Sequence, residues 1–429
     1  MSVFETLESE VRSYSRAWPT VFNRAVGSRL YSEGGRPYLD FFAGAGALNY
    51  GHNNPFLKEA LVEYVMGDGV THSLDMFTTA RRGFLEALRD RILIPRRLDY
   101  KVVFPGPGGA NAVEAALKLA RRVTGRVPVL SFTNSFHGMT LGALAVSGNA
   151  RKRSAAGVPL AHATTLPYDS YFADGPDRFG EVMRLLADPG SGLDLPAAVI
   201  VETVQGEGGM NAASAEWLRH LSELCRSVGA LLIVDDVQMG CGRTGPFFSF
   251  EEAGVSPDIV CLSKSIGGYG LPLALTLIRP ELDVWSPGEH NGTFRGVSAA
   301  FVTGARALHT YWSDDALEER TQAAGEQMGA ALEDIAADYS GTGLRAKGRG
   351  LARGLDFSGL GNSGEEVAAR VCAAAFERGL LMETSGARGY VVKLLPPLTT
   401  DENELEEGLA IVAESVKAVV SHRHEGMAL

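Results

Sequence analysis

Short apolar segments alternate with helical patterns through the middle of the chain. Most of these segments lack polar positions, as expected for strands that are covered on both faces of a sheet. Between them, residues such as Val113, Leu117 and Ala120 recur at the spacing of a helix face. The pattern predicts an α/β domain with a mostly parallel sheet. The predicted strands are Tyr100–Phe104, Val127–Phe132, Ala197–Val201, Leu231–Val234, Asp258–Ser263 and Leu273–Ile278.

The two ends of the chain have a different pattern. Residues 1–75 contain a helix, a hairpin-like stretch near Ala25–Phe42 and a Gly-rich loop. Residues 310–429 contain a long helix, a polar linker near Asp338–Lys347, a further strand and a further helix. We therefore predict that both termini form a small α+β domain and that residues 76–309 form the large domain.

Composition and charge exclude several classes of protein. The chain of 429 residues carries a net charge of −11, which argues against nucleic acid or an anionic membrane as a partner. Its four cysteines form no CxxC pair, so the sequence indicates neither a disulfide framework nor a metal site. No segment reaches the ~18 apolar residues of a membrane span, and the acidic N-terminus does not resemble a secretory signal. We therefore expect a cytoplasmic protein with free thiols.

Two predicted strands end on charged side chains. Asp235 follows the strand Leu231–Val234, and Lys264 follows the strand Asp258–Ser263. Because open α/β sheets bind ligands outside the carboxyl ends of their strands, we expect the two side chains to share one site. A lysine amine can form a Schiff base with pyridoxal 5′-phosphate (PLP), and a carboxylate can keep the PLP ring nitrogen charged. Either residue alone is more often a surface residue, so the prediction of PLP rests on the pair.

Other segments are placed to contact the same ligand. Gln238 follows the first of these strands and would donate a hydrogen bond to the 3′-oxygen of PLP. Gly109 and Ala110 lie in a Gly-rich turn between a predicted strand and a helix, where backbone N–H groups bind phosphate. Phe136, with His137 next to it, would stack on the ring, and a core aromatic beside a turn is the alternative interpretation.

Two acidic residues and two residues of a later loop are candidate contacts for a substrate or a phosphate. Glu202 and Glu207 flank a Gly-rich segment, where their carboxylates would contact the substrate amine or pair with an arginine. Thr293 offers a hydroxyl group to a phosphate, and Arg295 offers a planar guanidinium to a carboxylate. For each of these four residues, a solvated loop is the alternative interpretation.

Several motifs occur in the order found in class III (ω-) aminotransferases, and the chain resembles that family over essentially its whole length. The motifs are Asn49–Pro55, Phe136–Gly138, Glu202–Gly209, Asp235–Gln238, Gly242–Gly245, Ser263–Lys264 and Gly292–Thr293. The resemblance implies fold type I of the PLP-dependent transferases. That fold has a large α/β domain with a mostly parallel sheet and a small α+β domain from both termini.

The same resemblance implies roles for individual residues. Lys264 and Asp235 would be catalytic, and Lys264 would also move a proton between the substrate and the cofactor. The protein would be a homodimer or a dimer of dimers, with Thr293 serving the phosphate of the neighbouring subunit. The PLP-binding residues would be Gly109, Ala110, Phe136, His137, Glu202, Asp235, Gln238, Lys264 and Thr293.

Further stretches are similar to those family members that aminate aspartate 4-semialdehyde with glutamate. The similarity implies reversible formation of L-2,4-diaminobutyrate and 2-oxoglutarate, so small amino acids and keto acids would be the partners. The alternatives are another ω-amine, such as ornithine, 4-aminobutyrate or a diamine, and a PLP isomerase or decarboxylase on the same fold. These stretches are Glu10–Arg16, Phe42–His52, Leu98–Val102, Trp312–Asp315 and Met382–Gly386.

The chain departs from the family pattern at two places. The phosphate motif lacks its usual hydroxyl side chains, so backbone N–H groups of Gly109 and Ala110 would carry more of the phosphate. Lys393 replaces an arginine with which many members hold an α-carboxylate, and lysine is a point charge without the arginine fork. The candidates for binding the carboxylates and the amine of the substrates are Arg16, Glu207, Arg295, Arg388 and Lys393.

Overall fold

The computed structural model describes residues 2–172 and 179–426, with the backbone alone described over 421–426. Its strands are β1 Phe22–Val26, β2 Arg29–Ser32, β3 Pro37–Asp40, β4 Lys101–Val103, β5 Val129–Phe132, β6 Ala163–Leu166, β7 Ala198–Val201, β8 Val204–Gln205, β9 Asn211–Ala212, β10 Leu231–Asp235, β11 Ile259–Leu262, β12 Leu275–Ile278, β13 Arg345–Arg349, β14 Ala352–Asp356, β15 Leu380–Leu381, β16 Glu383–Ser385 and β17 Val391–Leu394. Its helices are α1 Val3–Leu7, α2 Tyr14–Ala17, α3 Ala43–Gly46, α4 Pro55–Met66, α5 Thr79–Leu88, α6 Gly109–Thr124, α7 Leu141–Ala145, α8 Ala150–Ser154, α9 Phe179–Ala187, α10 Ala215–Val228, α11 Ser298–Tyr311, α12 Ala316–Asp338, α13 Gly364–Glu377 and α14 Glu402–Gly426. Within the described ranges, no helix combines the length and the hydrophobicity that crossing a membrane requires.

Seven strands form the central sheet, in the spatial order β4-β12-β11-β10-β7-β5-β6. β12 is antiparallel to both of its neighbours, and the other neighbouring strands are parallel. The predicted mostly parallel sheet is therefore confirmed, and each predicted strand overlaps an observed one. Alternate residues pack on opposite faces, with Val199 and Val234 in one hydrophobic cluster and Ile200 and Ile233 in another. Both faces are covered, which explains why these segments lack polar positions.

The sequence pattern does not predict several of the observed strands, and β6 and β13 are two examples with a clear physical reason. β6 is an edge strand with partly exposed side chains, so it has no long apolar run. β13 lies partly within the predicted polar linker Asp338–Lys347, and the prediction of a linker is wrong there. It is the edge strand of a second sheet and pairs with β14, with Arg345 opposite Asp356. Edge strands commonly carry charged residues, because only one of their sides is paired.

The register of the central sheet places two charged residues at the same edge. Asp235 is the last residue of β10 and lies opposite Cys261 of the parallel strand β11. Lys264 begins a 3₁₀ turn just after β11. Its φ angle of 55° is left-handed, which is uncommon for a residue other than glycine and recurs at functional sites.

Helix α6 leads to the same edge from the other side. It follows β4 along the chain and packs on β11 and β12. Its buried face includes Val113, Leu117 and Ala120, as the helical spacing predicts. Because this apolar face fixes the helix on the sheet, the first turn at Gly109 is held at the end of the central strands.

Strands from both ends of the chain pair with each other. β1, β2 and β3 form an antiparallel sheet that β15 extends in parallel, with Leu380 opposite Leu39. A second antiparallel sheet has the order β13-β14-β17-β16 and places Glu383 opposite Lys393. The pairing of β3 with β15 supports a small domain from both termini, and the boundaries at residues 75 and 309 remain a prediction.

Candidate active site

A cavity of about 180 Å³ lies at the carboxyl edge of the central sheet. It is lined by residues at the ends of β7 and β10, in the first turn of α6 and in the turn that begins at Lys264. It contains every predicted PLP-binding residue except Thr293. The lining residues are Gly109, Ala110, Phe136, His137, Gly138, Glu202, Val204, Glu207, Asp235, Val237, Gln238, Met239 and Lys264.

Asp235 and His137 form a buried pair in this cavity. His137 Nδ1 donates a hydrogen bond to Asp235 Oδ2 over 2.7 Å, since a carboxylate can only accept. Burial favours the neutral imidazole, but the hydrogen bond and the charge of Asp235 outweigh burial and raise the pKa of His137. The second oxygen of Asp235 accepts the N–H of Val237 over 3.1 Å. The carboxylate is therefore fixed in one orientation.

Glu202 follows β7 and lies beside this pair. One of its oxygens accepts the backbone N–H of Phe136 over 2.9 Å. Burial raises the pKa of Glu202 to about 8, an effect that His137 opposes and the negative charge of Asp235 reinforces. Burial thus shifts Glu202 towards its protonated form, which reduces the repulsion between two buried carboxylates.

The amine of Lys264 lies opposite a strained loop. Lys264 Nζ donates to the carbonyl oxygen of Ala45 over 2.9 Å, and Gln238 Nε2 donates to the same oxygen over 3.0 Å. The whole of α3, Ala43–Gly46, has left-handed φ angles, which turn this carbonyl toward the two donors. Burial lowers the pKa of Lys264 to about 8, although the negative charge of Glu207 opposes the shift. A large share of the amine is therefore neutral near pH 8 and able to act as a nucleophile or a base.

The phosphate end of the cavity is formed by the first turn of α6. The backbone N–H groups of Gly109 and Ala110 have no acceptor inside the helix, and the helix dipole favours an anion there. A Cβ atom on Gly109 would lie 2.7 Å from Cγ1 of Val237. One on Gly138 would lie 2.7 Å from the Cβ of Ala110. Both glycines are thus required for the close approach of these segments.

Phe136 lies between the cavity and a lysine that the sequence analysis did not consider. Lys152 Nζ lies 3.8 Å from the centre of the Phe136 ring, a cation–π distance. The same amine is 3.6 Å from Oε2 of Glu207. Lys152 therefore connects the aromatic residue predicted to stack on PLP with a carboxylate of the cavity.

Lys393 is held between two carboxylates. Its Nζ lies 2.6 Å from Oε1 of Glu207 and 2.7 Å from Oε1 of Glu383, and its side chain is fully buried. Burial opposes the charge of Lys393, but the two carboxylates outweigh burial and raise its pKa. Burial also opposes ionisation of Glu207, but Lys393 and Lys152 lower its pKa to about 2. These four residues alternate in sign, and we call them the charge row: Lys152, Glu207, Lys393 and Glu383.

Five residues predicted to contact a substrate or a phosphate do not line this cavity, and one of them, Lys393, is linked to it only through Glu207. Thr293 lies in an exposed turn. Arg295 donates to the side chain of Asn291 over 3.0 Å. The exposed Arg16 and Arg388 each pair with an acidic residue on the surface. Their predicted roles stay predictions, and for Thr293 the prediction concerns the site of a neighbouring subunit.

The structure adds three groups that the sequence analysis did not assign to the site. They are the Ala45 carbonyl, Lys152 and Glu383. The scarcity of lysine in the sequence was a signal for Lys152. The chain has only eight lysines, and three of them, Lys152, Lys264 and Lys393, lie at or next to this cavity. Glu383 lies in one of the stretches typical of a subgroup of the family, but nothing in that stretch indicates its partners. A backbone carbonyl has no sequence signal at all.

Comparison with known proteins places the chain in a family. Residues 11–416 match the family Aminotransferase class-III. The chain belongs to this family. It is 62% identical to a diaminobutyrate–2-oxoglutarate transaminase of Nocardia farcinica, over 97% of this chain and 94% of that protein. It is 56% identical to the protein of that name from Halalkalibacterium halodurans, over 98% of this chain and 97% of that protein.

Solved structures agree with this assignment. The class III aminotransferase described here superimposes on ornithine aminotransferase from Toxoplasma gondii with a TM-score of 0.83 and 27% identity, covering 98% and 94% of the two chains. It superimposes on a PLP-bound amine transaminase from an uncultivated Pseudomonas species with a TM-score of 0.85 and 25% identity, covering 98% and 99%. The predicted family and fold type I are confirmed. Within the described residues, no group of three or more His, Cys, Asp or Glu is placed to hold a metal ion.

Proposed function

We propose that this class III aminotransferase transfers an amino group from glutamate to aspartate 4-semialdehyde with PLP as its cofactor. The products are L-2,4-diaminobutyrate and 2-oxoglutarate, and the reaction is reversible. One observation carries the proposal: Lys264 and Asp235 face a single cavity in a chain whose relatives, 54% to 62% identical, are named diaminobutyrate–2-oxoglutarate transaminase.

The residues of the cavity fit PLP chemically. Lys264 supplies an amine for the covalent link, and Asp235 supplies a carboxylate for the cationic ring nitrogen. The N–H groups of Gly109 and Ala110 supply an anion site at the start of α6. Phe136 supplies an aromatic face on the same lining. These groups match the amine, cation, anion and ring-stacking requirements of the cofactor.

The proposed chemistry assigns separate tasks to the two charged strand-end residues. When bound, PLP withdraws electrons from the substrate carbon that carries the amino group. Lys264 Nζ would take the proton from that carbon and pass it to C4′ of the cofactor, and in the second half-reaction it would carry a proton in the opposite direction; its pKa of about 8 suits this exchange near neutral pH. Asp235, held by His137 and by the Val237 N–H, stabilises the positive charge on the ring nitrogen. We call Asp235, His137 and Lys264 the strand-end wall.

Product identification tests this proposal. The purified enzyme is incubated with PLP, glutamate and aspartate 4-semialdehyde, and mass spectrometry is expected to find both diaminobutyrate and 2-oxoglutarate. Absence of diaminobutyrate, with turnover of ornithine, 4-aminobutyrate or another diamine, would replace the substrate and keep the reaction type. Turnover without any keto acid acceptor would instead identify an isomerase or a decarboxylase.

The proposal includes a cytoplasmic homodimer. The four cysteines are all free, which suits a reducing compartment. Phe77 is fully exposed, and Phe294 next to Thr293 is also exposed, which leaves apolar surface for a second copy. The segments that carry them are joined by the bridge between His72 and Val297. Sedimentation is expected to give a dimer, and Phe77→Asp is expected to weaken it; a wild-type monomer would contradict this part.

A further inference from the structure

Three residues from different parts of the chain, Tyr14, Glu383 and Lys393, meet at one place. The structure joins all three. Burial and the negative charge of Glu383 raise the pKa of the Tyr14 hydroxyl, so the two side chains lie near each other, and Glu383 is the cross-strand neighbour of Lys393 between β16 and β17. The proposed reaction as described above does not use Tyr14 or Glu383.

The two carboxylates of the charge row differ in how they are balanced. Glu207 has cations on both sides, with Lys152 at 3.6 Å and Lys393 at 2.6 Å. Glu383 ends the row with one ion-pair partner, Lys393 at 2.7 Å. Glu383 is therefore the carboxylate with capacity for another positive charge. Glu383 does not line the cavity itself, but it is linked through Lys393 to Glu207, which does, and its negative charge acts on the reacting amine of Lys264.

The proposed substrates require such a group. Diaminobutyrate reacts at its γ-amine, so its α-ammonium enters the site without reacting, and aspartate 4-semialdehyde carries the same α-ammonium. Glutamate reacts at its α-amine and presents only a carboxylate at its far end. An ammonium group that is removed from water needs an acidic partner, because leaving it unpaired carries a large desolvation penalty.

We propose that Glu383 recognises the α-ammonium of diaminobutyrate and aspartate 4-semialdehyde and thereby selects these substrates over amines that lack it. Lys393 and Tyr14 are positioning residues that hold the Glu383 carboxylate in place. The inference rests on the proposed function, because it names the determinant of specificity within the same site. It also explains why Lys393 pairs with two carboxylates: it positions Glu383.

The test compares two amines that differ only in the α-ammonium group, which one carries and the other lacks. Holoenzyme and its Glu383→Gln variant are assayed with diaminobutyrate and with 4-aminobutyrate, each with 2-oxoglutarate as acceptor. We expect kcat/KM for diaminobutyrate to fall by about 10-fold to 100-fold, mainly through KM, since a hydrogen-bonded charge is lost. We expect kcat/KM for 4-aminobutyrate to stay constant or rise. Glu326→Gln, on the exposed face of α12, makes the same charge change as a control.

A second variant keeps the test decisive if Glu383→Gln fails to fold. Tyr14→Phe removes the hydroxyl on which the charge of Glu383 acts without changing any charge, and Tyr14 is partly exposed. We expect it to shift the ratio of the two kcat/KM values in the same direction by about 3-fold to 10-fold.

The outcomes separate this inference from the proposed function. If the wild-type enzyme rejects diaminobutyrate, the proposed function and the inference both fall. If the wild type uses diaminobutyrate and folded Glu383→Gln keeps the original ratio, only the inference falls. An equal loss with both amines would show that Glu383 serves packing and would also overturn the inference.

Discussion

The strand-end wall lines the cavity, the charge row reaches it through Glu207, and the chain builds the two in different ways. Asp235 and Lys264 of the strand-end wall lie at the ends of two neighbouring parallel strands of one buried sheet. The charge row joins distant segments, with Lys152 from α8, Glu207 from a loop after β8 and Lys393 from β17. The first is held by the sheet itself, and the second is held by its own ion pairs. We therefore expect changes in the wall to affect every substrate and changes in the row to affect the choice among substrates.

The largest effect is expected from Lys264→Ala. Losing the amine removes both the covalent link and the base, so turnover should fall by about 10³-fold or more with glutamate and with diaminobutyrate alike. Steady-state rates and borohydride trapping of PLP measure it. Lys101→Ala, which removes an exposed ion pair with Asp283, is the control. Full activity, or a loss limited to one amine, would contradict the role of the strand-end wall.

Asp235→Asn is expected to have the next largest effect. The amide keeps the shape of the side chain but cannot balance the charge on the ring nitrogen, so kcat should fall by about 10²-fold to 10³-fold. The two amine donors, glutamate and diaminobutyrate, should lose the same factor. Asp90→Asn, an exposed carboxylate next to Arg89, is the control. A changed preference between the donors would mean that the wall also selects substrates.

A pH profile connects the two regions. Since burial lowers the pKa of Lys264 to about 8 and only the neutral amine reacts, capture of PLP by the apoenzyme should slow about tenfold per pH unit below 8 and level off above it. The negative charge of Glu207 raises this pKa, so Glu207→Gln should move the midpoint to lower pH. Stopped-flow absorbance measures the rate, and the reaction of PLP with butylamine corrects for its own ionisation. A midpoint near 10.5, the ordinary lysine value, would refute the effect of burial.

Gly109→Ala is expected to have the smallest effect of the four. Its Cβ would lie 2.7 Å from Val237, and an overpacked contact of this kind costs about 1–3 kcal/mol. At a cost of this size, the affinity of the enzyme for PLP should fall by about tenfold. The preference between the two amines should not change. Fluorescence titration of apoenzyme with PLP measures the affinity. Gly180→Ala in α9, where a Cβ would meet nothing within 4 Å, is the control. An unchanged affinity for PLP would show that the first turn of α6 does not bind the phosphate of PLP.

The sequence alone determined six of the seven strands of the central sheet and the two charged residues, Asp235 and Lys264, that follow them. Buried parallel strands are covered on both faces, so they appear as apolar runs such as Leu231–Val234, and their ends mark the place where ligands bind. Asp235 and Lys264 stand directly after such runs, which made their common site predictable from the order of residues. The edge strands β6 and β13 escaped prediction for the same reason, because partial exposure removes the apolar run.

Only the tertiary structure decided which charges meet. The pairing of Lys393 with Glu207, and the Ala45 carbonyl that receives Lys264, join segments that are far apart along the chain. The hydrophobic pattern of one segment does not indicate which distant segment it contacts. Ion pairs and hydrogen bonds of this kind become strong only when folding buries both groups together. The sequence therefore determines where the reacting groups lie, and the packing of the second sheet against the cavity determines which charges surround the substrate.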